Sequence, residues 1–324
     1  MKSDIVLSIN IPTYNRSSYL NQLLSCLVDE LEDSIHRVEI NILDNASGDD
    51  TESVVIDYKS KLPINYIRHE KNLGPMKNIH LAHRIGEGKY VWVFGDDDYI
   101  KKGALKKIMN ALDDAPAVVL LSYSRETPAK KLVNNVSSGN HDLSMTKNSA
   151  DFSIAIVDNL IGFLTANIVE RKWIDLVSPE EYEELDTIGE LAHSTIVYQA
   201  IGANETVKYI AGEPIVQTVD NSYLKHDYWI IVCVKYCIQL PIKLQSLGFE
   251  ANSTKQYFRK RLIKECMRRV LSEKYRGNDP KVVVENPIVK GSLGTGLTLF
   301  LSFLTFIPSV FIKKVYNTVY MSRG

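Results

Sequence analysis

The sequence predicts an α/β protein, a mainly parallel, doubly wound sheet of the Rossmann-like kind followed by a helical C-terminal extension. Three observations predict it. Through the first half, short β-branched runs alternate with amphipathic stretches, the order of strand–helix–strand units with right-handed crossovers. Each strand run ends in a polar turn cluster, and beyond about residue 220 the alternation gives way to helical periodicity. The chain has 324 residues, 45% of them hydrophobic and 24% charged, enough for one large domain plus an appendage or for two domains. A mean hydropathy of −0.11 excludes wholesale disorder and a polytopic membrane protein.

Taken in order, Ile5–Ile11 (IVLSINI) reads as a buried strand followed by a Pro-Thr-Tyr-Asn-Arg loop. Ser17 and Ser18 offer N-caps for a helix whose apolar positions Leu20, Leu23, Leu24, Leu27 and Leu31 recur at helical spacing. Val38–Leu43 is the second strand, and Asp44–Thr51 (DNASGDDT) is a polar turn that starts a helix. Ile64–Ile67 is the third strand, with a helix expected from Pro75 to Ile85. Tyr90–Phe94 (YVWVF) is a fourth strand, stopping at Gly95-Asp96-Asp97-Asp98; a helix near Gly103 and the strand Ala117–Ser122 follow. Glu126–Asp158 carries little readable pattern and is expected to form an acceptor-side loop. The expected organisation is a first domain over 1–220, a helical extension over 221–290 and a hydrophobic tail over 291–324.

In sheets of this class, ligands bind outside the carboxyl ends of the strands. The polar clusters fall at those ends: PTYNR, DNAS, HEKNLG and GDDD. Asn, Asp and Gly are ordinary turn formers, so each cluster alone has a structural explanation. Their recurrence at four successive strand ends points to a shared site. Asp96, Asp97 and Asp98 repel one another, and a hard cation, Mg²⁺ or Mn²⁺, together with substrate phosphate would offset that repulsion. The alternative is an exposed acidic turn capping the next helix. Asp44 can accept hydrogen bonds from a base edge, with Asn45 and Ser47 ordering the turn. Tyr14 can stack on a base and Arg16 can meet phosphate, or Arg16 can be a surface arginine. Asn72, Gly74, Lys77 and Asn78 lie where a strand hands over to a helix, a favourable anion site. Neither GxGxxG nor GxxxxGK[ST] occurs, so neither a dinucleotide site nor a P-loop is indicated.

The residues IPTYNR (11–16), DNASGDDT (44–51), NLGPMKN (72–78) and YVWVFGDDD (90–98) resemble family-2 glycosyltransferases with the GT-A fold. The resemblance is strongest to abequosyltransferase-like bacterial O-antigen sugar transferases. It covers residues 4–125 and extends more weakly through GFLTANI (162–168), His193 and Gly212-Glu213-Pro214-Ile215. It implies inverting transfer of a sugar from a nucleotide-diphosphate donor to an acceptor hydroxyl with Mg²⁺ or Mn²⁺. Pro12, Tyr14, Arg16, Asp44, Asn45, Asn72, Lys77, Asn78, Asp96 and Asp97 would form the donor site. The common acidic pattern Asp-x-Asp-Asp places Gly95 at its first aspartate; the alternative register is Asp96-x-Asp98. The metal ligands are then, in order of preference, Asp98, Asp97 and Asp96.

Relatives commonly take the acceptor proton with the aspartate of a Glu-Asp pair beginning a helix. Here Glu190 is followed by Leu191, so the pair is broken and Asp186, Glu190 and His193 are the candidates. The broken pair also motivates an alternative, a non-catalytic nucleotide-sugar-binding partner in a polysaccharide assembly complex. A nucleotidyltransferase would need a Gly-rich, lysine-bearing N-terminal loop that is missing. His80 and His83 share a helical spacing without a matching third ligand and are expected to be packing or solvated residues rather than a zinc site. The four scattered cysteines read as small hydrophobes of a reducing compartment.

Lys plus Arg (38) balance Asp plus Glu (39), which argues against a nucleic-acid binder. The balance is uneven along the chain. Lys255–Arg276 holds nine Lys or Arg against two Glu, with Phe258, Leu262, Cys266 and Val270 at helical spacing. That pattern suits an anionic membrane surface or a helix packed on the first domain with a solvated charged face. Leu293–Ile312 is uncharged over 20 residues, interrupted by Gly294, Gly296 and Pro308, and followed by Lys313-Lys314. An interfacial or re-entrant segment is expected ahead of a full span, and a buried core helix is the remaining alternative. With no signal-peptide pattern at the N-terminus, the expected location is the cytoplasmic face of the bacterial inner membrane, peripheral or monotopic. A polyprenyl-diphosphate-linked saccharide acceptor, which the resemblance suggests, would lie there.

Overall fold

The computed structural model describes residues 4–31, 34–136, 141–150, 152–182, 191–218 and 236–306. The chain divides into two compact units, one spanning Met1–Asp186 with Ala192–Asp220 and the other Thr187–Leu191 with Asn221–Gly324.

The first unit is built on a ten-stranded mixed sheet. Its strands are β1 (Leu7–Thr13), β2 (Val38–Asp44), β3 (Ile64–Arg68), β4 (Tyr90–Val93), β5 (Tyr99–Ile100), β6 (Val118–Glu126), β7 (Leu132–Val136), β8 (Leu143–Met145), β9 (Asn167–Glu170) and β10 (Val207–Thr218). The order is β3-β2-β1-β4-β9-β6-β10-β5, with β7 on β6 and β8 on β10. β3, β2, β1 and β4 are mutually parallel, as are β6 and β10, whereas β9 runs antiparallel between β4 and β6. The sheet is therefore parallel where strand–helix alternation was legible and mixed beyond it. The 126–158 stretch is not simply a loop. Its short strands (LVNNV and LSM) extend the sheet by pairing with β6 and β10, and at five and three residues they are too short to stand out as strand patterns.

Helices α1 (Ser17–Leu31), α2 (Thr51–Tyr58), α3 (Pro75–Arg84), α4 (Ala104–Asp113), α5 (Ile154–Ile161), α6 (Arg171–Asp175) and α7 (Leu191–Gly202) connect or cover these strands. The predicted leucines of α1 are all buried. The first N–H of α1, at Ser17, is accepted by Asp49 Oδ2 (2.9 Å), so a neighbouring loop satisfies that helix end. β1 is buried on both faces, including its polar Ser8 and Asn10. Asn10, Asn41 and Asn65 stand in register on β1, β2 and β3. They form a ladder: Asn65 Nδ2 donates to Asn41, Asn41 to Asn10 (2.9 Å), and Asn10 to the Ala82 and Ile85 carbonyls ending α3. Buried amides thus tie the parallel strands to a helix C-terminus, leaving few polar atoms unpaired.

In β10 a bulge between Ile210 and Ile215 contains Gly212 (φ 88°), and Ser122 Oγ accepts the Glu213 N–H (2.8 Å). The Gly-Glu-Pro-Ile motif is this bulge. It resets the register so that Ile215 and Val216 pair with β5, immediately after the acidic turn.

The second unit is helical: α8 (Tyr236–Ser246), α9 (Ala251–Arg276), α10 (Lys281–Val284) and α11 (Pro287–Phe306). Glu250 caps α9 by accepting the Asn252 and Ser253 N–H groups, and Gly277 (φ 80°) closes it in the left-handed region. Phe258, Leu262, Cys266 and Val270 are buried, and α9 packs against α8, α10 and α11. The amphipathic stripe therefore faces the neighbouring helices rather than standing open to lipid. Lys255, Arg259, Lys260, Lys264 and Arg268 remain exposed on the other side. In α11 the backbone breaks helical geometry at Gly294 (φ 74°). Residues 307–312 of the predicted apolar run lie outside the described residues, as does Cys233; Cys237 and Cys266 are buried and Cys26 half-buried.

Candidate functional site

The carboxyl ends of β1, β2 and β4 meet in two carboxylate-bearing turns. The first follows β2. Asp44 is buried; its Oδ1 accepts the Ser47 N–H (2.8 Å) and its Oδ2 the Tyr66 hydroxyl (2.6 Å), with Arg68 Nε 3.6 Å away. Tyr66 and Arg68 come from β3, on the β2 register that sets Asp44 beside Arg68. Ala46 takes a left-handed φ of 64°, an uncommon conformation for alanine that this bonding holds in place. Ser47 Oγ accepts the Asn15 N–H (2.9 Å), joining this turn to the Tyr14–Arg16 loop. Asn45 Nδ2 donates to Asn72 Oδ1 (3.0 Å) and to the Gly74 carbonyl, while its Oδ1 accepts the Leu73 N–H. Gly74 (φ 86°) and Pro75 then open α3, whose first-turn Lys77 is exposed. Asn78 turns inward: its Nδ2 donates to the Leu43 carbonyl and its Oδ1 meets His69 Nε2 (2.9 Å).

The second turn follows β4. Asp96 and Asp98 are buried and Asp97 is half-buried. Asp96 Oδ2 accepts the Thr13 hydroxyl (2.7 Å), and Arg16 Nη1 bridges Asp96 Oδ1 (3.2 Å) and Asp97 Oδ2 (2.6 Å). Asp98 Oδ2 accepts the Thr165 hydroxyl (2.5 Å), and its Oδ1 accepts the Thr218 N–H (3.2 Å). Burial raises the Asp96 pKa to about 6, Arg16 partly opposing it, and burial followed by repulsion from Asp97 raises that of Asp98. A Cβ on Gly95 would lie 2.7 Å from Asp98 Oδ2 and 3.3 Å from Thr165 Oγ1. An aspartate at 95 would need this turn to open, a physical reason for glycine there and for an acidic motif starting one residue later.

Whether this donor set fits a divalent cation follows from its chemistry. Among the described residues, no three His, Cys, Asp or Glu side chains converge as a ready-made cage. Mg²⁺ and Mn²⁺ do not need one; they take one or two carboxylates and complete their shells with phosphate and water. Crowded carboxylates, with the pKa values of Asp96 and Asp98 raised by burial, fit such an ion, which would favour their charged forms.

The turns therefore gather Pro12 (at the β1 end), Tyr14, Arg16, Asp44, Asn45, Asn72 and Asp96–Asp98 around one set of strand ends, with Tyr14 43% exposed and free to stack. Asp186 and Glu190 lie outside the described residues. His193 donates through Nε2 to the Ile161 carbonyl (3.1 Å), and burial lowers its pKa to about 4, leaving a neutral ring with Nδ1 as its basic atom. His80 stacks on Tyr182 (4.1 Å between centroids), and Tyr182 bonds His83 Nδ1 (3.0 Å); both histidines are packing residues. Thr13, Tyr66 and Thr165 were not singled out from sequence. Alternation along INYIR places Tyr66 and Arg68 on one face with Asp44 in register, a signal that could have found them. Thr165 falls inside the GFLTANI (162–168) stretch of the resemblance, but nothing in that stretch marks its hydroxyl as a partner of the acidic turn.

Residues 8–158 match the family described as glycosyl transferase family 2. The chain is 36% identical over 125 residues to abequosyltransferase RfbV of Salmonella typhimurium, covering 38% of this chain and 37% of the relative. It is 33% identical over 115 residues to the poly(ribitol-phosphate) β-N-acetylglucosaminyltransferase TarS of Staphylococcus aureus, covering 35% and 20%. The matched stretch thus spans well under half the length of these relatives. The fold is similar to the crystal structure of TarS 1–349 with UDP-GlcNAc (TM-score 0.56, 17% identity, 97% of this chain and 92% of that one). It is also similar to the mannosyltransferase PcManGT of Pyrobaculum calidifontis in complex with GDP-Man and Mn²⁺ (TM-score 0.52, 11% identity, 97% and 87%). At these identities the likeness is one of fold, and the fold is GT-A-like.

Proposed function

We propose, from the match of residues 8–158 to glycosyl transferase family 2, that the chain transfers a sugar from a nucleotide-diphosphate donor to a saccharide hydroxyl in surface-polysaccharide synthesis. The observation that carries the reading is the pairing of the two strand-end turns: a neutral-donor turn around Asp44 and an acidic turn at Asp96–Asp98. Asp44 and Asn45 form the base-recognition side, with exposed Tyr14 as a stacking face. Asn72 and Lys77, at the start of α3, take the phosphates together with Arg16. Asp98, Asp97 and Asp96, in that order, are the candidates to hold Mg²⁺ or Mn²⁺. When bound, such an ion stabilises the negative charge that develops on the leaving diphosphate. The reaction is read as inverting, with the acceptor proton taken by Asp186, Glu190 or His193; burial brings the His193 pKa down to about 4, so its ring is neutral and able to accept a proton at neutral pH. The UDP-GlcNAc held by TarS and the GDP-Man and Mn²⁺ held by PcManGT support donor and ion as classes.

The test is a donor screen. Thermal stabilisation by UDP, GDP, CDP and dTDP with Mn²⁺ should single out one base, and the matching sugar nucleotides should then be turned over. No stabilisation by any of the four would sink the donor site. Stabilisation without transfer or donor hydrolysis would leave a binding protein.

The acceptor is read as lipid-linked, and α11 supports that reading. Leu299, Phe300, Phe303 and Phe306 are exposed on the helical turns that follow the Gly294 break, an apolar face suited to an interfacial segment. Its hydroxyls at Ser292, Thr298, Ser302 and Thr305 donate to carbonyls of the same helix, which lowers the cost of placing them in lipid. With exposed lysines and arginines on α9, this describes a protein docked at an anionic cytoplasmic membrane surface. Phe300→Ser with Phe303→Ser and Phe306→Ser should abolish co-sedimentation with phosphatidylglycerol vesicles while soluble-donor hydrolysis persists. Unchanged sedimentation would place the membrane contact elsewhere or nowhere.

A further inference from the structure

Thr165 lies beyond the family match, in the turn Leu164–Ala166 between α5 and β9, yet it is bonded to the acidic turn in two places and to β4 in a third. Its hydroxyl donates to Asp98 Oδ2 (2.5 Å) and accepts the Gly95 N–H (3.0 Å); its carbonyl accepts Trp92 Nε1 (2.8 Å). The side chain is 1% exposed, so no solvent replaces those bonds. Trp92 is fully buried in β4, which anchors the Thr165 backbone to the strand that carries the acidic residues. A hydroxyl that both donates and accepts here does two jobs. It closes the Gly95–Asp98 turn from the Gly95 side, and it fixes the rotamer of Asp98 by holding one carboxylate oxygen while the Thr218 N–H holds the other.

We infer that Thr165 is a positioning residue that orients Asp98 for the divalent cation and donor diphosphate. The inference rests on the proposed role of Asp98. Thr165 touches neither ion nor donor in this account; it acts through Asp98, as residues behind metal ligands do when they hold a carboxylate in its binding geometry. Antiparallel β9, inserted between β4 and β6, delivers it, and Asn167 Nδ2 holds the turn by donating to the Ile161 and Phe163 carbonyls.

The test compares Thr165→Val, Thr165→Ser and Asp98→Asn with the wild type. Mn²⁺ binding is read directly by electron paramagnetic resonance, with the nucleoside diphosphate that most stabilises the wild-type chain. Thr165→Val, which keeps the shape and removes the hydroxyl, should weaken Mn²⁺ binding about 10- to 100-fold. Thr165→Ser should restore it to within about threefold, because the hydroxyl returns. In turnover, Thr165→Val should raise the apparent KM for Mn²⁺ more than it lowers kcat at saturating ion. If the valine variant does not fold, Thr165→Ala, which leaves room for a water molecule, carries the same expectation for Mn²⁺ binding. Wild-type Mn²⁺ affinity in the valine or alanine variant overturns the role of Thr165. Wild-type affinity in Asp98→Asn, or no Mn²⁺ binding by the wild type, overturns the metal reading and this inference with it.

Discussion

The turns after β2 and β4 place carboxylates at comparable strand ends and treat them in opposite ways. Asp44 stands alone, and backbone and side-chain donors from Ser47 and Tyr66 occupy both its oxygens. After β4, three successive carboxylates share two threonine hydroxyls, one backbone amide and a single bridging arginine. The first arrangement balances donors against one charge and makes a rigid recognition surface. The second has more negative charge than the surrounding donors neutralise, so burial pushes the pKa of Asp96 up to about 6. The lesson is that a strand-end carboxylate becomes a recognition element or a store of negative charge according to the donors around it.

Removing charge from the acidic turn should have the largest effect. Asp98→Asn keeps an acceptor for Thr165 but loses the anion, and sugar transfer should fall about 10²–10³-fold with folding retained. Full activity in this variant, or in excess chelator, would erase the distinction between the turns. Asp44→Asn should weaken donor binding instead, raising the donor KM about tenfold, equivalent to ~1.4 kcal/mol, with a smaller change in kcat. A matched fall in kcat for both variants would show that the two turns act as one.

The smallest effect concerns pH. An Asp96 carboxyl with a folded pKa raised from 3.8 to about 6 binds its proton more tightly when folded. Through this group, stability is greatest at low pH and declines as pH rises from about 4 to about 6. His83 and His193, lowered to about 3 and 4 by burial, act the other way: their stability is present above 6.5 and is lost as pH falls. The melting temperature of the protein alone mixes these opposing slopes. The increment added by Mn²⁺ and donor isolates the acidic turn, because ion binding needs the ionised carboxylate. That increment should shrink by several degrees below pH 6, and a constant increment from pH 5 to 7.5 would contradict it.

Much of the first unit was legible because its elements are specified locally. The run Val38–Leu43 becomes β2, Tyr90–Phe94 becomes β4, and the helix expected over Pro75–Ile85 ends one residue earlier, at Arg84. Polar Ser8 and Asn10 inside an apolar strand gave no sign of their partners. Those partners include Glu39, Asn41, the end of α3, the Gly88 N–H and Arg171, 31 to 163 residues away. The α9 stripe was visible as amphipathic, but periodicity says only that one face is apolar and not whether lipid or protein covers it.

By itself, the sequence determined where strands end and which turn chemistry follows them, because glycine, asparagine and adjacent aspartates act through their own backbone and their own charge. The tertiary structure alone decided how those charges are held. Arg16 reaches Asp96 and Asp97 across 80 and 81 residues, and Thr165 reaches Asp98 across 67. It also decided that α8, α10 and α11 cover the α9 stripe while Phe303 and Phe306 stay exposed on α11. Burial and hydrogen-bond satisfaction depend on contacts distant in the chain, and no local pattern encodes them.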